Sequence, residues 1–161
     1  MSLNWVVNSS PLIILGKISK ISLLFQMNCN LIIPSGVAKE IDLGADIDPA
    51  KIWMNKEGYK YTIPIGENNY ELAKWDLGLG ETEVISYCFL NPSSVAIVDD
   101  LAARRCAATY GIKCKGTLGV ILEAKRSGLI EKIKPTLNQL IRSGFRINKS
   151  LYEAVLRHAN E

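Results

Sequence analysis

Five polar residues follow predicted strands or open predicted helices, and their side chains could together bind a divalent cation. They are Asn8, Glu40, Glu81, Asp99 and Asp100. In a parallel sheet, functional groups gather beyond the carboxyl ends of the strands, and carboxylates that converge there repel one another unless a cation lies between them. Oxygen ligands without histidine or cysteine favour Mg²⁺ or Mn²⁺, which can activate water and stabilise a phosphoryl transition state.

Helical spacing selects Glu81 for this set. In the helix predicted over 81–90, Glu81 shares the apolar stripe, whereas Glu83 aligns with Ser86 on the side expected to be wetter. A carboxylate on a buried stripe is costly without a partner. We therefore expect Glu81 to face the cation and Glu83 to face solvent.

Three of these residues also have a purely structural interpretation. Asn8 could cap the helix that begins at Ser9, because asparagine is favoured at that position. Glu40 could be an exposed helix acid paired with a lysine. Glu81 could be a first-turn acid that complements the helix dipole.

The residues after the most hydrophobic strand leave similar alternatives. Either Asp99 or Asp100 could be the N-cap of the following helix, but only one of them can cap it. Arg104 and Arg105 could contact phosphates, or they could pair with Asp100 at helical spacing, and we favour the pairing.

The segments that must position these side chains alternate between strand and helix patterns, separated by short loops containing Gly or Pro. Strands are predicted over 5–7, 31–33, 59–65, 95–98 and 112–115. A first helix is predicted to begin at 9, and further helical patterns cover 18–27, 35–42, 67–77, 81–90, 101–110, 117–126, 131–143 and 150–158. Residues 43–50 are predicted to form a loop. This order predicts one α/β domain over residues 1–161 with a mostly parallel sheet.

Composition excludes several classes of protein. The 161 residues are 48% hydrophobic and 22% charged, which is an ordinary globular balance. We find neither an export signal nor an apolar run of the roughly 18 residues that a membrane helix needs. We therefore expect a cytoplasmic protein that does not enter the membrane.

Other catalytic motifs are absent from the sequence. The four cysteines form no C-x-x-C pair, His158 is the only histidine, and Gly78-Leu79-Gly80 lacks the third glycine of a dinucleotide loop. We predict that Cys29, Cys88 and Cys106 are buried as small apolar residues.

Charge is divided unevenly along the chain. Residues 102–161 hold 12 Lys and Arg against 4 Asp and Glu, whereas residues 1–101 hold 7 against 12. An acidic first part and a basic last part suggest a cation held by carboxylates and a polyanionic partner, although two solvated faces would explain the charges as well.

The ordered set of motifs resembles the PIN-domain family of metal-dependent ribonucleases, and within it a prokaryotic subgroup known as domain of unknown function 3368. The matching stretches are VVNSSPLI at 6–13, LIIPSGVAKEI at 31–41, GLGETEVI at 78–85, AIVDDLAARRCA at 96–107, KGTLGVILEAKRSGLI at 115–130 and SLYEAVLRHA at 150–159. The resemblance implies a three-layer α/β/α sandwich around a parallel sheet, with acids that bind Mg²⁺ or Mn²⁺. It also implies action on RNA, often as the toxin of a toxin–antitoxin pair and often as a dimer.

Carried onto this sequence, the family's acids fall on Asn8, Glu40, Glu81 and one of the Asp99-Asp100 pair. Asn8 departs from the usual aspartate, and an amide oxygen can ligate a hard cation without contributing charge. We therefore expect a metal-dependent endoribonuclease, with two alternatives: a nucleic-acid-binding module that has lost efficient chemistry, or a protein-interaction module for an antitoxin-like partner.

Overall fold

The computed structural model describes residues 2–27, 29–66 and 70–161, with only the backbone of Tyr70. Over these residues, five parallel strands form one sheet in the order β3-β2-β1-β4-β5. The strands are β1 (Leu3–Val7), β2 (Cys29–Pro34), β3 (Thr62–Ile63), β4 (Ser94–Ile97) and β5 (Lys113–Lys115). The expected α/β class is confirmed, and the sheet is entirely parallel within the described residues.

The centre of the sheet explains why β1 and β4 are apolar. Val6 of β1 pairs with Ile32 on one side and with Ala96 on the other. All four residues of β4 are buried. Strands covered on both faces read as nearly continuous apolar runs, as these two do.

Helices flank the sheet. They are α1 (Ser9–Lys17), α2 (Leu23–Gln26), α3 (Ser35–Asp42), α4 (Pro49–Lys56), α5 (Tyr70–Ala73), α6 (Leu79–Leu90), α7 (Leu101–Thr109), α8 (Thr117–Arg126), α9 (Lys134–Arg142) and α10 (Lys149–His158). Helices α1, α3 and α4 pack on one another, α6 contacts β1, β2, β4, α3 and α7, and α8 contacts α2, β5 and α10. Helix α6 thus connects the central strands with α3. No helix in the described part of the chain is long and apolar enough to cross a membrane.

Most predicted elements are confirmed, and α3 and α8 have the predicted bounds. The strand predicted over 59–65 is confirmed only at Thr62–Ile63, because Gly58–Tyr61 forms a 3-10 turn and residues 64–65 are outside the strand. Gly58 permits this turn to lie close to α4, since a β-carbon there would approach Met54 Sδ to 2.5 Å.

Three further predictions, of two helices and one loop, are corrected. The pattern over 18–27 gives only the short α2, because α1 ends at Lys17 and Ser19 adopts a left-handed backbone with φ 58°. The loop predicted over 43–50 ends earlier, where Asp48 caps α4 by accepting a hydrogen bond from Ala50 N at 2.8 Å. Of the helix predicted over 67–77, the first three residues lie outside the described part of the chain, and among the others only Tyr70–Ala73 is helical, so its predicted end is wrong.

Candidate functional site

Asn8 lies at the carboxyl end of β1, buried between the sheet and α6. Its backbone N–H donates to Ile97 O at 3.0 Å, which continues the pairing of β1 with β4, and its side chain is 1% exposed. The side chain makes no capping hydrogen bond to α1. Instead, Nδ2 donates to Glu81 Oε1 at 3.3 Å, and Oδ1 has no partner among the residues that the structure describes. The capping interpretation of Asn8 is therefore not observed.

Glu40 reaches the same place from the second half of α3. Its Oε2 accepts the Ser9 hydroxyl at 2.7 Å, and its Oε1 accepts the Gly80 N–H at 2.8 Å. Gly80 is the second residue of α6, so the carboxylate satisfies one of the free N–H groups at the start of that helix. These two bonds fix the orientation of the carboxylate. Glu40 has no ion-pair partner within the described residues, so the expected alternative of a lysine pair is not seen.

Gly80 allows these groups to converge. A β-carbon at this position would lie 2.7 and 2.9 Å from the two oxygens of Glu40 and 3.0 Å from Asn8 Oδ1. Because such distances are shorter than ordinary van der Waals contact, only glycine fits without a shift. The oxygens of Asn8 and Glu40 therefore point at one spot on the first turn of α6.

Glu81 completes this group, which we call the Gly80 cluster: Asn8, Glu40 and Glu81. Its Oε1 receives the Asn8 amide, and its Oε2 lies 2.5 Å from where a β-carbon on Gly78 would stand. The side chain is half-buried. The inward direction predicted for Glu81 from helical spacing is confirmed by its contact with Asn8.

The prediction for Glu83 is wrong. Glu83 is only 8% exposed, and its Oε2 accepts the Gly36 N–H at 2.5 Å at the start of α3. The physical reason is that α3 packs on the side of α6 that carries Glu83 and Ser86, so this side is dry. Glu40 and Glu83 thus form a reciprocal pair in which each helix supplies a carboxylate to the amino-terminal turn of the other.

The two aspartates after β4 are both engaged by helix starts. Asp100 is exposed and is the N-cap of α7, where its Oδ2 accepts the Ala103 N–H at 2.9 Å. Asp99 turns to α8 and accepts the Thr117 N–H at 2.7 Å and the Thr117 hydroxyl at 2.6 Å. The expectation that only one of them caps α7 is confirmed. Each Asp99 oxygen keeps a further lone pair, so these bonds leave it able to ligate a cation.

Sequence reasoning missed the groups that orient these acids. Ser9 and Thr117 hold Glu40 and Asp99, and Gly80 provides the space. The GT pair at 116–117 was visible as a helix start, but its acceptor lies 18 residues away in sequence. Such a partner becomes evident only once β4 and α8 are side by side.

The chemistry of the Gly80 cluster suits a hard cation. It combines two carboxylates and a buried amide oxygen without a partner, and neither carboxylate has an ion pair in the described residues. The described residues contain no group of three or more His, Cys, Asp or Glu side chains placed to hold a metal ion. Two acids and one amide therefore form the converged set, and Asp99 lies on the same edge of the sheet.

The cysteines contribute no nucleophile to this site. Cys88 and Cys106 are buried, as predicted, whereas Cys29 is only half-buried. Burial raises the pKa of the Cys88 thiol to about 12 and that of Cys29 to about 11. Thiols with such pKa values stay protonated and unreactive near neutral pH.

Fold and site together define an α/β protein with a cluster of oxygen ligands at the carboxyl edge of a parallel sheet. The sequence matches the DUF3368 family, described as a PIN domain, over residues 4–161. The chain therefore belongs to the PIN-domain family. No curated protein matches the chain.

Membership sets the general class of activity. PIN domains are nuclease-type proteins that generally use divalent metal ions and interact with nucleic acid. The Gly80 cluster offers two carboxylates and one amide oxygen, which are ligand types that hard divalent cations accept.

Proposed function

We propose that this protein is a metal-dependent endoribonuclease that hydrolyses RNA phosphodiester bonds, with Mg²⁺ or Mn²⁺ at the Gly80 cluster. The observation that carries the proposal is the buried Asn8 Oδ1, which lacks a partner among the described residues and lies beside two carboxylates without ion pairs. A buried polar atom left unsatisfied costs about 1–3 kcal/mol, and a cation would satisfy it. Asp99 and Asp100 are the further proposed ligands.

Each residue has a distinct role in this proposal. Glu40 and Glu81 supply the negative charge that attracts the cation, and Asn8 supplies a neutral oxygen. Ser9 and Gly80 hold the Glu40 carboxylate in one orientation, so little reorganisation accompanies binding. A bound divalent ion would lower the pKa of a coordinated water and neutralise charge that develops on the phosphate.

The basic part of the chain is the proposed contact for the RNA strand. Residues 102–161 hold 12 Lys and Arg against 4 acids, and phosphate contacts supply much of the affinity of nucleic-acid-binding proteins. Family membership supports two further proposals, a role as the toxin of a toxin–antitoxin pair and a homodimer. Cytoplasmic localisation belongs to the same proposal.

The second candidate function is an RNA- or protein-binding module with weak or lost nuclease activity. Two observations favour it. Asn8 brings no charge where the family usually has aspartate, and both oxygens of Asp99 already accept hydrogen bonds from Thr117. A site with two converged carboxylates binds a divalent cation less tightly than one with three or four.

Metal binding provides the first test. The melting temperature of the wild-type protein is measured with and without Mn²⁺, because a ligand that binds only the folded state stabilises it. We expect the melting temperature to rise for the wild type and much less for Glu40→Gln. Glu131→Gln is the matched control, since Glu131 is exposed and lies outside the cluster. A melting curve unaffected by Mn²⁺ would contradict the metal centre.

Cleavage provides the second test and separates the two candidate functions. A small panel of structured RNAs is incubated with the protein, with and without Mn²⁺. We expect cleavage only with metal, and its loss in Glu40→Gln. RNA binding without cleavage would establish the binding module instead.

A further inference from the structure

Arg104 and Asp99 meet at Gly116, the residue before α8. A β-carbon on Gly116 would lie 2.7 Å from Arg104 Nη1 and 2.8 Å from Asp99 Oδ1. The side chains of Arg104, from α7, and of Asp99, which follows β4, therefore both lie next to Gly116. Gly116 lacks the side chain that would displace them.

The guanidinium of Arg104 is available for a ligand. Arg104 is exposed and forms no ion pair in the described residues, because Asp100 is turned to Ala103 N and Asp99 is bonded to Thr117. The pairing of Arg104 or Arg105 with Asp100 that we expected is therefore not formed. Arginine presents its N–H groups as a planar fork that matches two oxygens of a phosphate.

Arg104 and Asp99 also line one groove. The groove has a volume of about 850 Å³ and is lined by residues that include Asp99, Arg104, Phe145, Arg146 and His158. Asp99 is the only acid among the residues that line it, whereas Arg104 and Arg146 add positive charge without ion pairs in the described part of the chain. A strand of phosphates is complementary to this charge.

We propose that Arg104 positions the RNA substrate by binding a backbone phosphate beside Asp99, in the groove between α7, α8 and α10. This inference rests on the proposed function, since it assigns a substrate contact within the same site. The guanidinium donates two N–H groups to two oxygens of one phosphate and leaves Asp99 free to contact the cation. Arg104 is a positioning residue and has no part in proton transfer.

Arg105 offers a matched comparison. Arg105 is exposed on the same helix, but it does not line the groove and is not among the atoms nearest to the position of a β-carbon on Gly116. Arg104 and Arg105 have the same charge, lie in the same helix and are both exposed. They differ in whether the side chain faces Gly116 and Asp99.

The test measures the affinity for a single-stranded RNA oligonucleotide by fluorescence anisotropy, with metal chelated so that the strand stays intact. The proteins are the wild type, Arg104→Ala, Arg104→Lys and Arg105→Ala. We expect Arg104→Ala to weaken binding by about 10- to 100-fold, as for a lost charge-assisted hydrogen bond. The slope of log affinity against log salt should fall by about 0.7 for one lost contact on a single strand.

The other variants sharpen the assignment. Arg104→Lys should keep the salt slope but recover only part of the affinity, because lysine has the charge without the fork. Arg105→Ala should bind within about threefold of the wild type, since an uncontacted surface charge is largely screened. Equal losses for Arg104→Ala and Arg105→Ala would overturn the assignment and leave only a diffuse basic surface.

The failure of this inference differs from that of the proposed function. If the wild type binds RNA and Arg104→Ala binds it equally well, only the role of Arg104 is overturned. If the wild type binds no RNA in this metal-free assay, the role of Arg104 is overturned, while the cleavage assay with Mn²⁺ decides separately on the ribonuclease. Thermal melting of each variant checks that a loss of affinity reflects a folded protein.

Discussion

Two regions on the same edge of the sheet treat their carboxylates differently. At the Gly80 cluster, Glu40 and Glu81 surround a buried amide oxygen that has no partner among the described residues. At the start of α8, both oxygens of Asp99 are bonded to Thr117, and a cationic side chain stands nearby. In the first region a buried acceptor lacks a partner among the described residues, whereas in the second both oxygens of the acid already accept hydrogen bonds and the guanidinium of Arg104 lies close by.

The difference shows that the oxygens of a carboxylate near a strand end can accept hydrogen bonds from the protein itself, without a bound ligand. A helix start offers free N–H groups and a partial positive charge, so it competes with a metal for the same acid. Asp99, Asp100, Glu40 and Glu83 all contact such starts. Of the three residues in the Gly80 cluster, Asn8 alone carries a fully buried acceptor without a partner in the described residues.

The largest effect is expected from Gly80→Ala. The new β-carbon would collide with the Glu40 oxygens at 2.7 and 2.9 Å and displace the carboxylate from the Gly80 N–H. We expect a loss of about 2–3 kcal/mol in the free energy of unfolding, from overpacking and a lost hydrogen bond. The stabilisation by Mn²⁺ should disappear as well. Denaturant unfolding with and without Mn²⁺ measures both effects.

Gly119→Ala is the control for that substitution. Gly119 is also helical, but the nearest atoms to a β-carbon there would all belong to the Lys115 side chain, with Cβ closest at 3.4 Å, an ordinary contact. We expect it to stabilise the protein by up to about 1 kcal/mol, because alanine favours the helix. Equal costs at the two glycines would contradict a special role for Gly80.

The next effect concerns the charge at Asn8. Asn8→Asp places a carboxylate against Glu81 Oε1, which now accepts from the amide at 3.3 Å, so stability without metal should fall. With metal bound, the added charge gains attraction worth about 1–4 kcal/mol at moderate dielectric. Calorimetric titration should therefore give Mn²⁺ affinity at least about fivefold higher, and RNA cleavage should rise with it.

Asn148→Asp is the matched control for Asn8→Asp. Asn148 caps α10 by accepting the Leu151 N–H at 2.8 Å, and aspartate caps about as well as asparagine. It should leave Mn²⁺ affinity unchanged. If Asn8→Asp also leaves that affinity unchanged, Asn8 is not a ligand.

Glu81→Gln and Glu83→Gln should separate binding from stability. Glu83→Gln removes a charge from the start of α3, where the carboxylate accepts the Gly36 N–H, and should cost about 1–2 kcal/mol of unfolding free energy. Glu81→Gln should leave that energy nearly unchanged and lower Mn²⁺ affinity. Thermal melting without metal measures the stability of each variant, and titration with Mn²⁺ measures its metal affinity. A loss of stability in Glu81→Gln together with a loss of Mn²⁺ affinity in Glu83→Gln would reverse the roles assigned to these acids.

A smaller difference is expected between the two aspartates after β4. Asp99→Asn weakens both hydrogen bonds with Thr117 and should lower the free energy of unfolding by about 1 kcal/mol. Asp100→Asn keeps a good N-cap and should lower it by only a few tenths of a kcal/mol. If Asp99 is a metal ligand, its variant should also lose more of the rise in melting temperature with Mn²⁺. A larger loss in the Asp100 variant would exchange the two assignments.

The smallest effect concerns a fully satisfied acid far from the site. Burial acts to raise the pKa of Glu161, but hydrogen bonds from Lys125 Nζ and from the Ile133 and Lys134 N–H groups outweigh it and lower that pKa. A lowered pKa stabilises the fold above the unfolded-state pKa, and this contribution is lost as pH falls through the folded-state pKa.

Glu161→Gln should therefore be less stable than the wild type at neutral pH, and the two should converge in acid. Melting temperatures from neutral to strongly acidic pH give the comparison. A difference that persists unchanged in acid would show that the ionised carboxylate is not what stabilises the start of α9.

The alternation of strands and helices, and the polar residues that follow the strands, are predictable from the amino-acid sequence alone. The apolar runs at 5–7 and 95–98 predicted β1 and β4, because central parallel strands must be apolar on both faces. The hydroxyl and Gly residues at helix starts predicted the bounds of α3 and α8. These signals depend on residues that are close together in the sequence, so they can be recognised without the structure.

The hydrogen-bond partner of each acid depends on the packing of elements that are distant in the sequence. Glu83 was assigned to solvent because helical periodicity places it opposite the stripe, but α3 covers that side of α6 and Gly36 lies 47 residues away. The same holds for Asp99, whose hydrogen-bond partner Thr117 reaches it only when β4 and β5 pair. Periodicity describes one helix, whereas the burial and hydrogen bonding of its side chains depend on the elements packed against it.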